Sequence, residues 1–591
     1  SSDLKESVVR IKMKYKLLAA SVLATLSTSA LSATYALTEL GNFENAKHTY
    51  VTDVSENGHV IGLANGLYNI PIDISYIDFT DSLIKNAYTN EVNSFELSDK
   101  EITFTLDDIE NNDAIYTNAD AHTFMVRFLS NLSANFEYQK ISSIVATNYN
   151  SGVITEQSLF DVASVDYDGL TRSTSNFYNA VAQDGTTVGW GSAPFDKITF
   201  TPDGETEEET WFTREFIERG ILISEGGVEV PLVPEFTEHG GTSKASDIVA
   251  TDTGYVVVGN VSVSIPTERQ TLIADNCDGL DEPVMTCIES INSRNTRGLF
   301  NKTAVKWTLD SAYNVTSTEL LGLALTPKED EDSNPFISNA LAVNKNGVAA
   351  GFSNTRYFDR DSTILTMPVY FKDGEVVDFI EQRDDWQSGK AFAINDNDIV
   401  VGYATKRIEG TLRNKLFYHD INTNTTVFPK GYFISSSSYA NDINNQGYIV
   451  GEGEIGESEN TRRSEAFIYK IGDDKITNLN KLLPCYDSDG ETSFSYKMVE
   501  AKSINENNEV FGVATKTVEK RNSLGGVVTD VNGNIEYESV AVAVKLSPIP
   551  NGEVENCKAP DAEFYERSSA SFSWFGLLLL PLVGLRRVFR F

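Results

Sequence analysis

One phrase recurs along this chain, and the recurrence constrains the fold more than any other feature. Four copies match closely: Ala340 to Gly351 (Ala-Leu-Ala-Val-Asn-Lys-Asn-Gly-Val-Ala-Ala-Gly), Ala391 to Gly402, Ala440 to Gly451 and Ala501 to Gly512. Each opens on a small residue and closes on Gly eleven residues later. Looser copies begin at Val51 and Tyr178 and end at Gly62 and Gly189, and another runs from Ala245 to Gly259 with three extra residues. The working count is seven copies of one structural unit.

Each copy reads as a β-hairpin. A short strand ending in Ile or Val is followed by Asn, two polar residues, a residue that tolerates positive φ, and a second apolar strand. The positive-φ position falls to Gly58, Gly185, Gly347, Asp398, Gly447 or Asn508, residue types for which left-handed geometry costs least. The Asn that begins the turn can accept a hydrogen bond from its own backbone two residues on. The closing glycines, Gly62, Gly189, Gly259, Gly351, Gly402, Gly451 and Gly512, imply strands packed closely near a crowded axis, where a larger side chain does not fit.

Second strand pairs lie between these hairpins, around Ala304–Thr308, Val369–Val377, Leu416–Asp420 and Ala466–Lys470, with aromatic and β-branched residues in alternation. One hairpin of each kind makes a four-stranded unit, and the spacings of 51 and 49 residues between Gly351, Gly402 and Gly451 suit a propeller blade. Such a sheet cannot stand alone, so units stack around an axis. The expected fold is all-β, a β-propeller of about seven four-stranded blades within a range of six to eight. The long gap from Gly62 to Gly189 implies insertions or a degenerate extra blade. Tyr35–Gly41 resembles the outer strand Lys475–Asn480, and Ala541–Leu546 resembles the strand before such an outer strand. The first segment is therefore expected to complete the last blade and hide two sheet edges.

The ends differ from the middle. Met13–Lys16 is a basic start, Leu17–Ala33 is an uncharged apolar run, and Ala30-Leu31-Ser32-Ala33 offers a cleavage position, the layout of a secretory signal. At the other end Phe572–Leu585 is apolar and is followed by Arg586, Arg587 and Arg590, a short candidate membrane helix with positive charge on its inner side. The expected layout is an extension and signal helix over 1–33, the propeller with insertions over 34–560, a linker over 561–571 and a membrane or sorting tail over 572–591.

Charge narrows the partners. Across 591 residues, 85 Asp and Glu outweigh 48 Lys and Arg, a net charge of -37, which repels phosphate backbones and excludes nucleic acid as a partner. The four cysteines suit an exported chain with two disulfides, Cys277–Cys287 and Cys485–Cys557. Catalytic motifs are missing: there is no Gly-x-Ser-x-Gly, no His-Glu-x-x-His and no Gly-x-x-x-x-Gly-Lys. The five His residues, His48, His59, His122, His239 and His419, fall in unrelated contexts and read as surface or hairpin residues. No catalytic residue is named. Calcium is the one cofactor the residues offer, with Asp275, Asp278 and Asp281 around Gly279, and Asp487 and Asp489 beside Gly490. Neither loop completes the twelve-residue calcium pattern, and each also reads as an acidic loop tied by a cysteine.

The Ala-x-x-Ile-Asn-x-x-Gly-x-Val-x-Gly hairpins and the Ala466-Phe-Ile-Tyr469 strand resemble HAF-type repeats, and the whole layout resembles an uncharacterised family of exported bacterial repeat proteins of unknown function. The last 24 or so residues resemble GlyGly-type C-terminal sorting tails, with Ser568-Ser569 where those tails carry the Gly pair. That resemblance implies a rhomboid-like protease as a partner, and a chain anchored at the membrane or cell surface, or released after processing. The function expected is an exported, envelope-associated, non-enzymatic binding or scaffold module for a glycan, peptide or protein. The alternative is an extracellular hydrolase or lyase with acidic groups at the propeller axis.

Overall fold

The computed structural model describes residues 34–555 apart from 99, 168, 203, 278, 280, 329–331, 333, 358–362, 382–384, 458–461, 486–494 and 531. The signal, the linker, the apolar tail and Cys557 lie outside the described residues. Among those described, no helix is long and apolar enough to cross a membrane.

Every copy of the phrase forms the first two strands of one blade. Blade 1 holds Ala46–Val54, Val60–Leu67, Ile144–Asn150 and Gly152–Gln157, and blade 2 holds Asn176–Val181, Thr187–Gly191, Arg219–Ile223 and Glu229–Leu232. Blade 3 runs through Ser243–Thr251, Gly254–Ser264, Asn301–Asp310 and Val315–Gly322, and blade 4 through Ser338–Val343, Ala349–Arg356, Ile364–Lys372 and Glu375–Asp378. Blade 5 comprises Trp386–Ile394, Ile399–Ile408, Thr411–Asp420 and Thr425–Val427, and blade 6 Ser438–Ile443, Tyr448–Ile455, Arg463–Lys470 and Thr477–Asn478. Blade 7 takes Tyr496–Ile504, Val510–Glu519 and Tyr537–Ile549 from the end of the chain and Thr34–Glu39 from its beginning. The first strands of successive blades touch around a closed circle, blade 7 meeting blade 1. The fold is a seven-bladed β-propeller.

Closure occurs where the sequence places it. Thr34–Glu39 pairs antiparallel with Val544–Ile549, Thr34 opposite Ile549 and Glu39 opposite Val544. The chain then adds Gly41–Asn42 to the outer edge of blade 1, parallel to Gly152–Val153. One short segment thus covers the open edge of the last blade and ties it to the first.

The turns add a second bond between neighbouring blades, from blade 4 to blade 7. Asn395 Oδ1 accepts from its own Asn397 N at 3.1 Å and Ile399 N at 3.0 Å, as expected for a side chain that caps its own turn. Its Nδ2 meanwhile reaches the next blade and donates to Asn444 O at 3.1 Å. Asn344 donates to Asn395 O at 3.0 Å, and Asn444 to Asn505 O at 3.1 Å, so the same amide links blades 4, 5, 6 and 7. Asn was therefore needed for more than the turn: a Ser or Asp there keeps the cap and loses the inter-blade donor. The positive φ expected at the six turn positions is present at all of them, from 59° at Asn508 to 86° at Gly185.

Blades pack face to face through apolar side chains from both partners. Ala342, Ala350 and Met367 of blade 4 meet Ala391, Val400 and Phe417 of blade 5 in one buried cluster. At about 1.5–3 kcal/mol for each large side chain fully buried, such clusters are the main cohesive term between blades.

The long gap after Gly62 is an insertion and not an extra blade. Helices Ser82–Leu97, Leu106–Asn112 and Ala119–Asn131 lie between the second and third strands of blade 1 and pack Ile84, Ile109, Phe124, Met125 and Phe128 into a core of their own. Thr105 and Asp108 cap the second of these helices reciprocally. His122 sits in this core, 2 % exposed, with Nε2 2.9 Å from Ile70 O. It is neither a surface nor a hairpin residue as the sequence suggested, because the insertion supplies a helix that the hairpin template does not contain. His419, 1 % exposed, does lie in a hairpin, with Nδ1 2.9 Å from Thr426 Oγ1. Blade 2 inserts the hairpin Asp196–Phe200 with Glu209–Thr213, and blade 3 the helices Thr267–Cys277 and Val284–Arg294. All three insertions leave from connections between second and third strands, on the face opposite the Asn turns.

Candidate functional site

The closing glycine has a precise cause, and it builds the site. In all seven copies the first residue, Ala in five of them, lies directly opposite the glycine, as Ala391 opposite Gly402 or Val51 opposite Gly62. In all seven the pairing then skips one residue on the inner strand, a β-bulge. The bulge turns the carbonyl before the first residue towards the glycine. A Cβ on Gly62, Gly189, Gly259, Gly351, Gly402, Gly451 or Gly512 would fall onto the oxygen of Tyr50, Phe177, Lys244, Asn339, Lys390, Tyr439 or Glu500 respectively.

The skipped residues are Thr52, Asn179, Ser246, Leu341, Phe392, Asn441 and Lys502, one per blade, and all seven line a single axial cavity of about 380 Å³. A bulge redirects a side chain that a regular strand would bury between blades. Sevenfold repetition of that event brings Thr and Ser hydroxyls, two Asn amides, Leu341, the Phe392 ring and the Lys502 ammonium group to the cavity, which Lys390 also lines.

The next residue along each inner strand is Asp53, Asp247 or Asp442 in blades 1, 3 and 6, and Ala or Ser in the other blades. Each carboxylate reaches the following blade. Asp53 Oδ2 accepts from Val181 N at 2.9 Å, Asp247 Oδ2 from Val343 N at 2.7 Å, and Asp442 Oδ2 from Ile504 N at 2.8 Å. What accessibility these acids retain is to the cavity they line. Burial pushes all three carboxyls up: Asp247 to about 7, Asp442 above the usual range, and Asp53 well above it with Asp442 and Asp247 adding repulsion. Proton counting agrees. Ser503 Oγ lies 2.9 Å from Asp442 Oδ2 and 3.1 Å from Asp53 Oδ1. A hydroxyl carries one hydrogen, so both contacts are hydrogen bonds only when one carboxyl is protonated, and Asp53 is the group that burial and its neighbours favour for that role.

A second acidic pair stands beside the cavity. Asn441 Nδ2 donates to Glu452 Oε2 at 2.6 Å and lies 3.4 Å from Glu500 Oε1, while Lys502 Nζ lies 3.3 Å from Glu500 Oε1. Burial first, and then the facing Glu500, raise the Glu452 carboxyl.

The sequence named none of these acids, although the signal was present: the third residue of each phrase is either Asp or small. The residues it did name fall elsewhere. Cys277 and Cys287 form a disulfide with Cα atoms 5.7 Å apart, joining the two inserted helices of blade 3. Cys485 is disulfide-bonded, and Cys557 lies outside the described residues. Asp275 and Asp281 are exposed around the blade 3 helices, whereas Asp278, Asp487 and Asp489 lie outside the described residues. Among the described residues no three His, Cys, Asp or Glu side chains are grouped to hold a metal ion.

Solved propellers resemble the chain at low identity. The β-propeller domain of the Trilobed protease from Pyrococcus furiosus aligns at 7% identity over 87% of this chain and 98% of that one, with a TM-score of 0.33. Pyrococcus horikoshii acylaminoacyl peptidase aligns at 10% identity over 70% of this chain and 48% of its own, with a TM-score of 0.31. Oligogalacturonate lyase from Vibrio parahaemolyticus gives 11% identity over 59% and 76%, with a TM-score of 0.27. No curated protein matches the sequence. At these scores the neighbours carry no functional argument, and the blade count rests on the strand pairing above. A family model described as "Protein of unknown function (DUF3466)" matches residues 12–588, nearly the whole chain, and the chain belongs to that family.

Proposed function

We propose that this chain is an exported, envelope-associated binding or scaffold module whose ligand enters the axial cavity. The observation that carries the reading is the state of the three axial aspartates. Each already accepts a backbone N–H of the next blade, and no His lines the cavity. Fixed amides and hydroxyls around one aromatic face, Phe392, suit recognition of a neutral glycan unit or a peptide side chain, and about 380 Å³ is within the range of small-ligand sites. The hydrolase or lyase alternative draws on the Glu452 and Glu500 pair, because paired carboxyls with one raised are the equipment of acid–base chemistry.

Export is part of the proposal. Removal of the signal after Ala33 would keep Thr34–Glu39, which pairs with the last strand, in the mature chain, and the apolar tail would then hold the acidic body at the membrane until a protease releases it. The test incubates the purified body with envelope glycans and peptides and scores both retention and product. The expected result is retention without turnover, weakened about tenfold by Phe392→Ala, the loss of one well-packed anchor. Product formation abolished by Glu452→Gln would replace this reading with the enzymatic one.

A further inference from the structure

The net charge of the chain is -37, yet four cationic side chains gather at one end of blades 5 and 6. Lys406 in the second strand of blade 5 and Arg413 and Lys415 in its third strand converge with Arg462, which precedes the third strand of blade 6. Between Ile408 and Thr411 the connection of blade 5 is a two-residue turn, so blade 5 lacks the inserted elements that blades 1, 2 and 3 carry at this point.

The cations are held in place rather than waving in solvent. Lys415 Nζ donates to Ile434 O at 2.7 Å and also to Ser436 O. Arg462 donates to Ser435 O at 2.5 Å and to Glu454 Oε2 at 3.1 Å, and its guanidinium lies 5.0 Å from the Phe433 ring centre. Arg413 reaches the same Glu454 oxygen only at 3.4 Å, and its Nε is buried without an acceptor. Among the described residues Glu454 is the one carboxylate that Arg413 and Arg462 touch. Four positive groups therefore gather near one carboxylate, contacted by Arg413 and Arg462, in a partly buried wall. The strain registers on Lys415, whose ammonium burial, together with Arg413, Arg462 and Lys406, lowers to about 8 despite Glu454.

We propose that Arg413, Lys415 and Arg462, with Lys406 adding to the field, form a binding site for a single oxyanion group, either a free sulfate or phosphate or the carboxylate of an acidic sugar. The site is separate from the axial cavity and does not depend on the reading given to it. Its chemistry follows from donor supply: two guanidinium groups and an ammonium present more N–H donors than Glu454 and the loop carbonyls consume, and an oxyanion supplies both the missing acceptor and the missing charge.

The test titrates the full chain with sodium sulfate, sodium phosphate and methyl glucuronide at constant ionic strength held with chloride, with methyl glucoside as the neutral control, reading heat and thermal midpoint. The site predicts saturable binding of at least one oxyanion, none of methyl glucoside, and affinity about tenfold weaker in Arg413→Gln, the loss of one charge-assisted contact. Lys406→Gln, which contacts no loop carbonyl, is the second variant should Arg413→Gln fail to fold, and it should weaken binding by a smaller factor. Saturation by the inorganic ions alone, or by the glucuronide as well, identifies the source. Absence of saturable binding in the unaltered chain, or binding unchanged in whichever variant folds, overturns the site.

Discussion

Gly402→Val is expected to prevent the propeller from folding, or to cost about 4 kcal/mol or more, at the extreme of single-substitution effects. The reason is backbone geometry. Gly402 lies opposite Ala391 at the bulge, and any Cβ there meets the Lys390 carbonyl oxygen and the Ala391 Cα, atoms that cannot move without breaking the pairing. Even Gly402→Ala should be severe. The control is Gly347→Ala, at a turn glycine with φ +78 and open space where its Cβ would stand, which should cost only about 1 kcal/mol for the strained φ. Urea unfolding of the three variants separates the two kinds of glycine. Equal losses at Gly347 and Gly402 would show that the closing glycine is retained for conformational freedom and not for the close approach.

Stability should fall as pH rises through the weakly acidic range, and Asp247→Asn should remove much of that fall. The buried Asp247 carboxyl is raised from 3.8 to about 7. Between those values the unfolded chain releases the proton and the folded chain keeps it. The folded state therefore binds more protons, so its stability declines with increasing pH until the folded group also ionises near 7, and levels off above. A shift of that size corresponds to at most about 4 kcal/mol, less whatever screening water in the cavity provides. Asp53 and Asp442, raised in the same direction, add to the slope. Asn at 247 loses one acceptor at every pH but does not titrate. Denaturant midpoints from pH 4 to 8 should therefore converge, the variant gaining on the unaltered chain as pH rises. Parallel curves would show that Asp247 ionises in the fold as it does in solvent.

The hairpin period, the seven closing glycines, the positive-φ positions and the closing strand at Thr34–Glu39 were legible because each is a local backbone requirement that leaves a residue type behind. The helical insertion of blade 1 was seen only as a gap, since Ser82–Leu97 and Ala119–Asn131 pack on one another and share no pattern with the repeat. His122 was misplaced for the same reason. The site was the least legible part. Phe392 and Asn441 look like ordinary strand residues, and only the bulge, which is a relation between two strands, turns them to the axis. Asp53, Asp247 and Asp442 were individually visible among 85 acids, yet their meaning depends on which backbone N–H the next blade presents.

Closure holds the ring together, because its last blade is completed by the first strand of the body. Hydrogen exchange on the native protein tests this directly. In residues 34–39 and 544–549 the amides that pair across the seam, alternate ones along each strand, should exchange as slowly as the inner strands of blades 4 to 6, because they open only with the ring. Removal of residues 34–39 should release those amides of 544–549 to fast exchange, while amides that face Val510–Gly512 stay protected. Rapid exchange of residues 34–39 in the intact protein, with 544–549 equally protected whether or not they are present, would contradict the closed ring.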